Sequence, residues 1–231
     1  MQDAYWTGTI GWYNVADQAL SVADLLESGR TLGVLAGSRA LAEAACRSAY
    51  LLADDVTPIE RIGRLFNDRL HALNEQRRFA AEIPGVDDSW QRPAADDLIA
   101  AATSLGLATE APRGDRAGWV GTRRPSTMTI LGELIGHPEY AAGFYRDTSA
   151  VAHAALHGLV RRTELRLDSN AGYRSTVRAV PTAELVADIN PAIAAFANQT
   201  RLLITQAGWA QQRWLAASDE LAQIAAAILD S

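Results

Sequence analysis

The stretch TPIERIGRLFNDRLHAL, residues 57–73, decides how the rest of the chain is read. Thr57 and Glu60 stand three apart, so each side chain can serve a backbone N–H that a helix start leaves unpaired. Pro58 falls at the first helical position, where its missing N–H costs nothing. Ile59, Ile62, Phe66, Leu70 and Leu73 then recur at three- and four-residue steps. They form one apolar helix face, which should run to about Ala81, before Pro84-Gly85. Arg64 and His71 lie roughly 140–160° from that face and are expected in solvent, unless the bundle packs on both sides of the helix.

The same punctuation repeats on both sides. Trp12, Val15, Ala19, Val22 and Leu26 predict a helix over 10–28, stopped by Gly29, and a second runs from Thr31 to about Ala53. Further helices are expected from Pro93 to Leu105, from a Ser126 cap to Ile135, and from Pro138 to about Arg162. In the C-terminal part Asn190-Pro191 marks a cap or kink, and Gly208 separates two helices. Two stretches break the pattern. Residues 107–127, LATEAPRGDRAGWVGTRRPST, read as one long irregular loop. Residues 163–180 alternate apolar and polar around Asn170-Ala171-Gly172, the signature of a small β-hairpin. The expected fold is an all-α helical bundle forming one domain over 1–231, with 163–181 as a small insert.

Composition narrows the function classes. Hydrophobic residues make up 48% of 231, charged residues 21%, and the net charge is −6, as in a folded globular protein. The first residues lack the basic and apolar regions of a signal peptide, no apolar run of membrane length occurs, and a cytoplasmic location is expected. Cys46 is the single cysteine; on a helix seam it reads as packing. All 21 basic residues are arginine and none is lysine, which excludes Schiff-base and P-loop lysine chemistry. Any anion bound here is held by arginine forks, histidine, hydroxyls or backbone N–H groups. Gly-x-Ser-x-Gly and Gly-x-Gly-x-x-Gly are absent. His153 and His157 have the spacing of metal ligands on a helix, but no third ligand is at hand, so neither a metal nor a cofactor is expected.

The candidate chemistry lies in YRDTSAVAHAALHGL, residues 145–159. Centred on Ala152, the helical count puts Tyr145 and Ser149 on the buried side, with Arg146, His153 and His157 on a flank. Tyr145, Ser149 and His153, at four-residue steps, can form one polar ridge. Glu43 recurs with Arg39 and Arg47 at the same step; turned inward, it would pair with His153 or an arginine and could orient a general base. Arg113, Arg116, Arg123 and Arg124 crowd the long loop with Trp119, which could cover a ligand.

Two resemblances follow from these residues. Arg146 and His153 form an Arg-x6-His pattern with Asp147 after the arginine, which resembles the motif of HEPN-type ribonucleases. That resemblance implies RNA cleavage, with the histidine as acid or base and the arginine on the phosphate. The segments RALAEAACRSAYLLADDVTPIERIGRLFNDRL (39–70) and YRDTSAVAHAALHGL resemble uncharacterised bacterial all-helical proteins with a Tyr-Arg-x2-Ser-x3-His helix motif. That likeness implies a helical fold and names no substrate.

The leading expectation is an acid/base enzyme acting on a polar, anionic small molecule by hydrolysis, elimination or cyclisation, in specialised metabolism. His153, Tyr145 and Glu43 are its catalytic candidates. Ser149, Arg146, Arg113, Arg123, Arg124 and Trp119 are its substrate-binding candidates. A nucleic-acid substrate is the alternative, and a homodimer or non-catalytic partner subunit is the second.

Overall fold

A computed structural model describes residues 2–83, 85–87, 89–113, 117–153, 163–168, 172–177 and 180–229. Among these the fold is all-α. Its helices are α1 (Gln2–Glu27), α2 (Thr31–Leu52), α3 (Pro58–Glu82), α4 (Gln91–Ser104), α5 (Thr127–Ile135), α6 (Pro138–Ala152), α7 (Thr182–Ala207) and α8 (Gln212–Leu229). Two small antiparallel ribbons accompany them, β1 (Thr109–Glu110) with β2 (Trp119–Val120) and β3 (Thr163–Asp168) with β4 (Gly172–Val177). The second is the expected hairpin, in a register that pairs Thr163 with Val177 and Asp168 with Gly172. No described helix is long and apolar enough to cross a membrane.

The start of α3 follows its sequence. Thr57 accepts from the Glu60 N–H and Glu60 Oε2 accepts from the Thr57 N–H at 2.8 Å. The Thr57 hydroxyl, donating to Glu60 Oε2 at 2.7 Å, and then the Thr57 N–H hold the Glu60 carboxyl below its usual range. Other boundaries moved. α1 begins at Gln2, well before residue 10, and within it Gly8 is a point of close approach: a Cβ there would meet the Leu52 side chain at 2.8 Å. α6 spans Pro138–Ala152, with His153 as its C-cap, and the rest of the helix expected to Arg162, including His157, falls on residues that are not described. The 107–127 loop is partly ordered by the β1–β2 ribbon.

By its internal contacts the chain groups into two compact units. Unit 1 comprises Met1–Gly8 and Tyr50–Ser126, unit 2 Thr9–Ala49 and Thr127–Ser231. In unit 1, α3 packs on α4 and carries β2, around Leu70, Ala95, Ala102 and Val120. Unit 2 buries Val22, Val34, Leu35, Val151 and Ile189 together. There α7 accommodates buried Pro191 and stops at Gly208, whose left-handed φ of 67° suits glycine.

Candidate functional site

The polar face of α3 is covered along its first half, the case in which Arg64 leaves solvent. Ile59 of the expected apolar face is 40% exposed, whereas Arg61, Asn67 and Asp68 are 3–4% exposed. Arg61, Arg64, Asn67, Asp68, His71, Asn74, Glu75 and Arg78 fall within a stripe roughly 140° wide, opposite the apolar residues. The helix is therefore covered on both sides. Arg61 donates to the Leu51 and Ala53 carbonyls, and Arg64 donates from Nη1 to the Tyr50 carbonyl at 2.9 Å. Those carbonyls close the C-terminal end of α2, where guanidinium groups satisfy orphan acceptors. Burial lowers the Arg61 pKa below the ordinary guanidinium value. Arg64, expected in solvent, is half-buried over the Tyr50 ring, 4.8 Å from its centroid.

Asn67 fastens the loop to the helix. Its Nδ2 donates to the Val120 carbonyl at 2.9 Å and the Thr122 carbonyl at 2.8 Å, and its Oδ1 accepts from the Val120 N–H at 2.7 Å. It also bonds the side chain of Tyr50, whose phenol burial pushes above the usual range against the opposing pull of Asn67, Arg64 and Arg124. One side chain thus replaces the partners an edge strand lacks. Sequence reading passed over Asn67, although asparagine inside a helix is disfavoured unless it has specific partners, and that was the available signal.

Beyond Asn67 the stripe opens. His71, Asn74, Glu75 and Arg78 from α3 face Trp119, Arg123 and Arg124 across a groove of about 300 Å³. Trp119 is half-buried, its Nε1 donating to Glu110 Oε2 at 2.6 Å. Arg124 reaches over the Tyr50 ring, and its buried Nε has no hydrogen-bond partner. Glu75 pairs with Arg78 at 3.2 Å and is the one acidic side chain among the described lining residues. Three of the substrate-binding candidates, Trp119, Arg123 and Arg124, therefore share a concavity. His71 is exposed as expected, but on a concave surface. Arg113 lines a different cavity of the same unit.

The α6 candidates belong to unit 2, and their arrangement differs from the expected ridge. Tyr145 donates to Glu43 Oε1 at 3.0 Å, Arg39 Nε donates to the same oxygen at 3.0 Å, and Arg39 Nη2 donates to the Tyr145 hydroxyl at 3.2 Å. The guanidinium also stacks on the Tyr145 ring at 4.7 Å. Burial raises the Tyr145 pKa, the bond to Glu43 adds to it, and Arg39 opposes. Burial works against the Arg39 charge, yet Glu43 and Tyr145 outweigh it and raise its pKa. Glu43 thus finds an arginine and a phenol, not His153. His153 and Arg146 are exposed, and Ser149 is half-buried.

The concavity beside α6 has the opposite sign from the groove on α3. About 380 Å³ in volume, it is lined by Glu139, Asp147 and Asp188, with no arginine among its described lining residues. Cys46 is fully buried packing.

Comparison with protein-family models, curated proteins and solved structures returns no match to this chain.

Proposed function

We propose that the protein is a cytoplasmic acid/base enzyme acting on a polar, anionic small molecule held in the groove between α3 and residues 117–125. The observation that carries this reading is the sign of that groove: Arg78, Arg123 and Arg124 line it with one glutamate, Glu75, which pairs with Arg78 and leaves Arg123 and Arg124 in excess, in a chain of net charge −6. Guanidinium forks bind carboxylate or phosphate through paired N–H donors. The Arg124 Nε, buried at the groove wall, has no hydrogen-bond partner among the described residues. His71, on the α3 side, takes the acid/base role that the sequence gives to His153, because it stands among these arginines. Trp119 forms a wall against the bound molecule. The set suits proton transfer coupled to departure of an anionic group, by hydrolysis, elimination or cyclisation, and calls for no redox cofactor. The acidic lining beside α6 disfavours an anionic substrate there.

The test is a turnover screen over phosphate- and carboxylate-bearing small molecules, with an RNA oligonucleotide as a further arm, using wild type, His71→Ala, Arg124→Gln and His153→Ala. Turnover of a small anion that His71→Ala and Arg124→Gln abolish and His153→Ala preserves is the expected result. RNA cleavage lost only in His153→Ala would replace this reading with the ribonuclease one.

One further observation favours association with a partner or a second copy. Ile10, Tyr13 and Leu20, on one face of α1, are 51%, 66% and 68% exposed. Light scattering on wild type and Leu20→Asp tests it: a dimer that the substitution dissociates supports association, and a monomer in both removes it.

A further inference from the structure

Unit 1 contains a second, larger cavity whose lining has a different chemistry. It measures about 600 Å³, within the range of small-molecule sites, and lies between α3, the start of α4 and the segment around Pro112. Leu70, Leu73, Ala95 and Pro112 supply an apolar surface, and Arg77, Arg92 and Arg113 supply charge. None of the described lining residues is acidic. At the start of α4, Trp90 provides no side-chain cap, so the first N–H groups of a 14-residue helix add to the positive field.

An independent feature marks the cavity as built for a ligand. Gln91 is 4% exposed, lines the cavity, and its Oε1 has no hydrogen-bond partner. A buried amide oxygen without a donor is unfavourable, and it is satisfied by a ligand that brings an O–H or N–H. Apolar wall, arginines and orphan acceptor then specify three parts of one molecule.

We propose that this cavity binds a small organic carboxylate with an apolar chain and a hydroxyl group, its carboxylate on Arg77 and Arg92, its hydroxyl donating to Gln91 Oε1, and its chain against Leu70, Leu73 and Ala95. The site is separate from the groove proposed for catalysis, although Asn74 borders both.

Calorimetric titration of the full chain with 3-hydroxyoctanoate tests the assignment, with octanoate and 1,3-octanediol as comparators lacking the hydroxyl and the charge. Saturable one-site binding of 3-hydroxyoctanoate is expected, at least tenfold tighter than either comparator. Arg92→Gln, at an exposed position, should weaken it about tenfold. Gln91→Met should bring 3-hydroxyoctanoate and octanoate to equal affinity, with thermal melts establishing that each variant is folded. Should Gln91→Met fail to fold, the wild-type comparison of hydroxy acid with octanoate decides the hydroxyl's part. Absence of binding, equal affinity for all three probes in wild type, or loss of binding in Arg124→Gln but not in Arg92→Gln would overturn the proposal.

Discussion

The two concavities described above, one against α3 and one against α6, are similar in size and opposite in charge. On α3 the arginines nearest the α2 end are engaged by carbonyls and Arg78 pairs with Glu75, while Arg123 and Arg124 of the facing loop border the groove. Beside α6, Glu139 and Asp147 of that helix and Asp188 of α7 line the hollow, and elsewhere on α6 Tyr145 bonds the Arg39–Glu43 ion pair. A row of polar residues on a helix does not by itself say whether it builds structure or binds a ligand. The partners do. Tyr145, Glu43 and Arg39 bond one another and leave Arg39 Nη1 buried without a partner among the described residues; at the α3 groove the buried Arg124 Nε is likewise unpartnered, but there it stands beside Arg123 and Arg78.

The strongest way to break this contrast is to cut the loop loose. Asn67→Ala removes three bonds to the 120–122 backbone and leaves buried groups unpaired. It should cost about 3 kcal/mol in urea unfolding and make the segment around residue 117 sensitive to protease. Stability within 1 kcal/mol of wild type would mean that Asn67 does not hold the groove wall. Next in size is Gly118→Ala, whose Cβ would collide with the Glu110 carbonyl oxygen. About 2 kcal/mol is expected, together with weaker anion binding as the ribbon carrying Trp119 shifts.

The half-exposed cluster of unit 2 should respond less. Glu43→Gln should cost about 1 kcal/mol or less and leave turnover intact. The cluster also has a pH signature. Because Tyr145 holds its proton more tightly when folded, its contribution is present below the ordinary tyrosine pKa near 10 and is lost as pH rises through its higher folded value. Urea midpoints of wild type should fall between about pH 9 and 11, and Tyr145→Phe should flatten part of that fall. Tyr50 shifts in the same direction and supplies the remainder. Smallest of all, His153→Ala at an exposed helix end should change stability by less than about 0.5 kcal/mol.

The contrast also shows where the sequence was legible. The capping box at Thr57 and the pairing of 163–168 with 172–177 depend on local chemistry, which neighbours in sequence carry, whereas the buried face of α6 centres on Phe144, Thr148 and Val151 and leaves Ala152, its expected centre, exposed. The function of the α3 stripe depends on what covers it. Periodicity located Ile59, Phe66 and Leu70 on one face, but nothing local says that the end of α2 and residues 120–122 lie on the other. His71 was rightly placed in solvent, and its concave surroundings were invisible because they come from residues about fifty positions away. Conversely, the Tyr145, Ser149 and His153 spacing was real, but His153 is the C-cap of α6, so the ridge ends on an exposed cap.

The central claim is that the groove on α3 holds an anion through Arg124 and its neighbours. Backbone amide NMR of the full chain, titrated with inorganic phosphate at constant ionic strength, reads it most directly. Saturable shifts confined to residues 67–78 and 117–125, weakened at least tenfold by Arg124→Gln, are the predicted result. Shifts centred on α6, or a response that Arg124→Gln leaves unchanged, would contradict it.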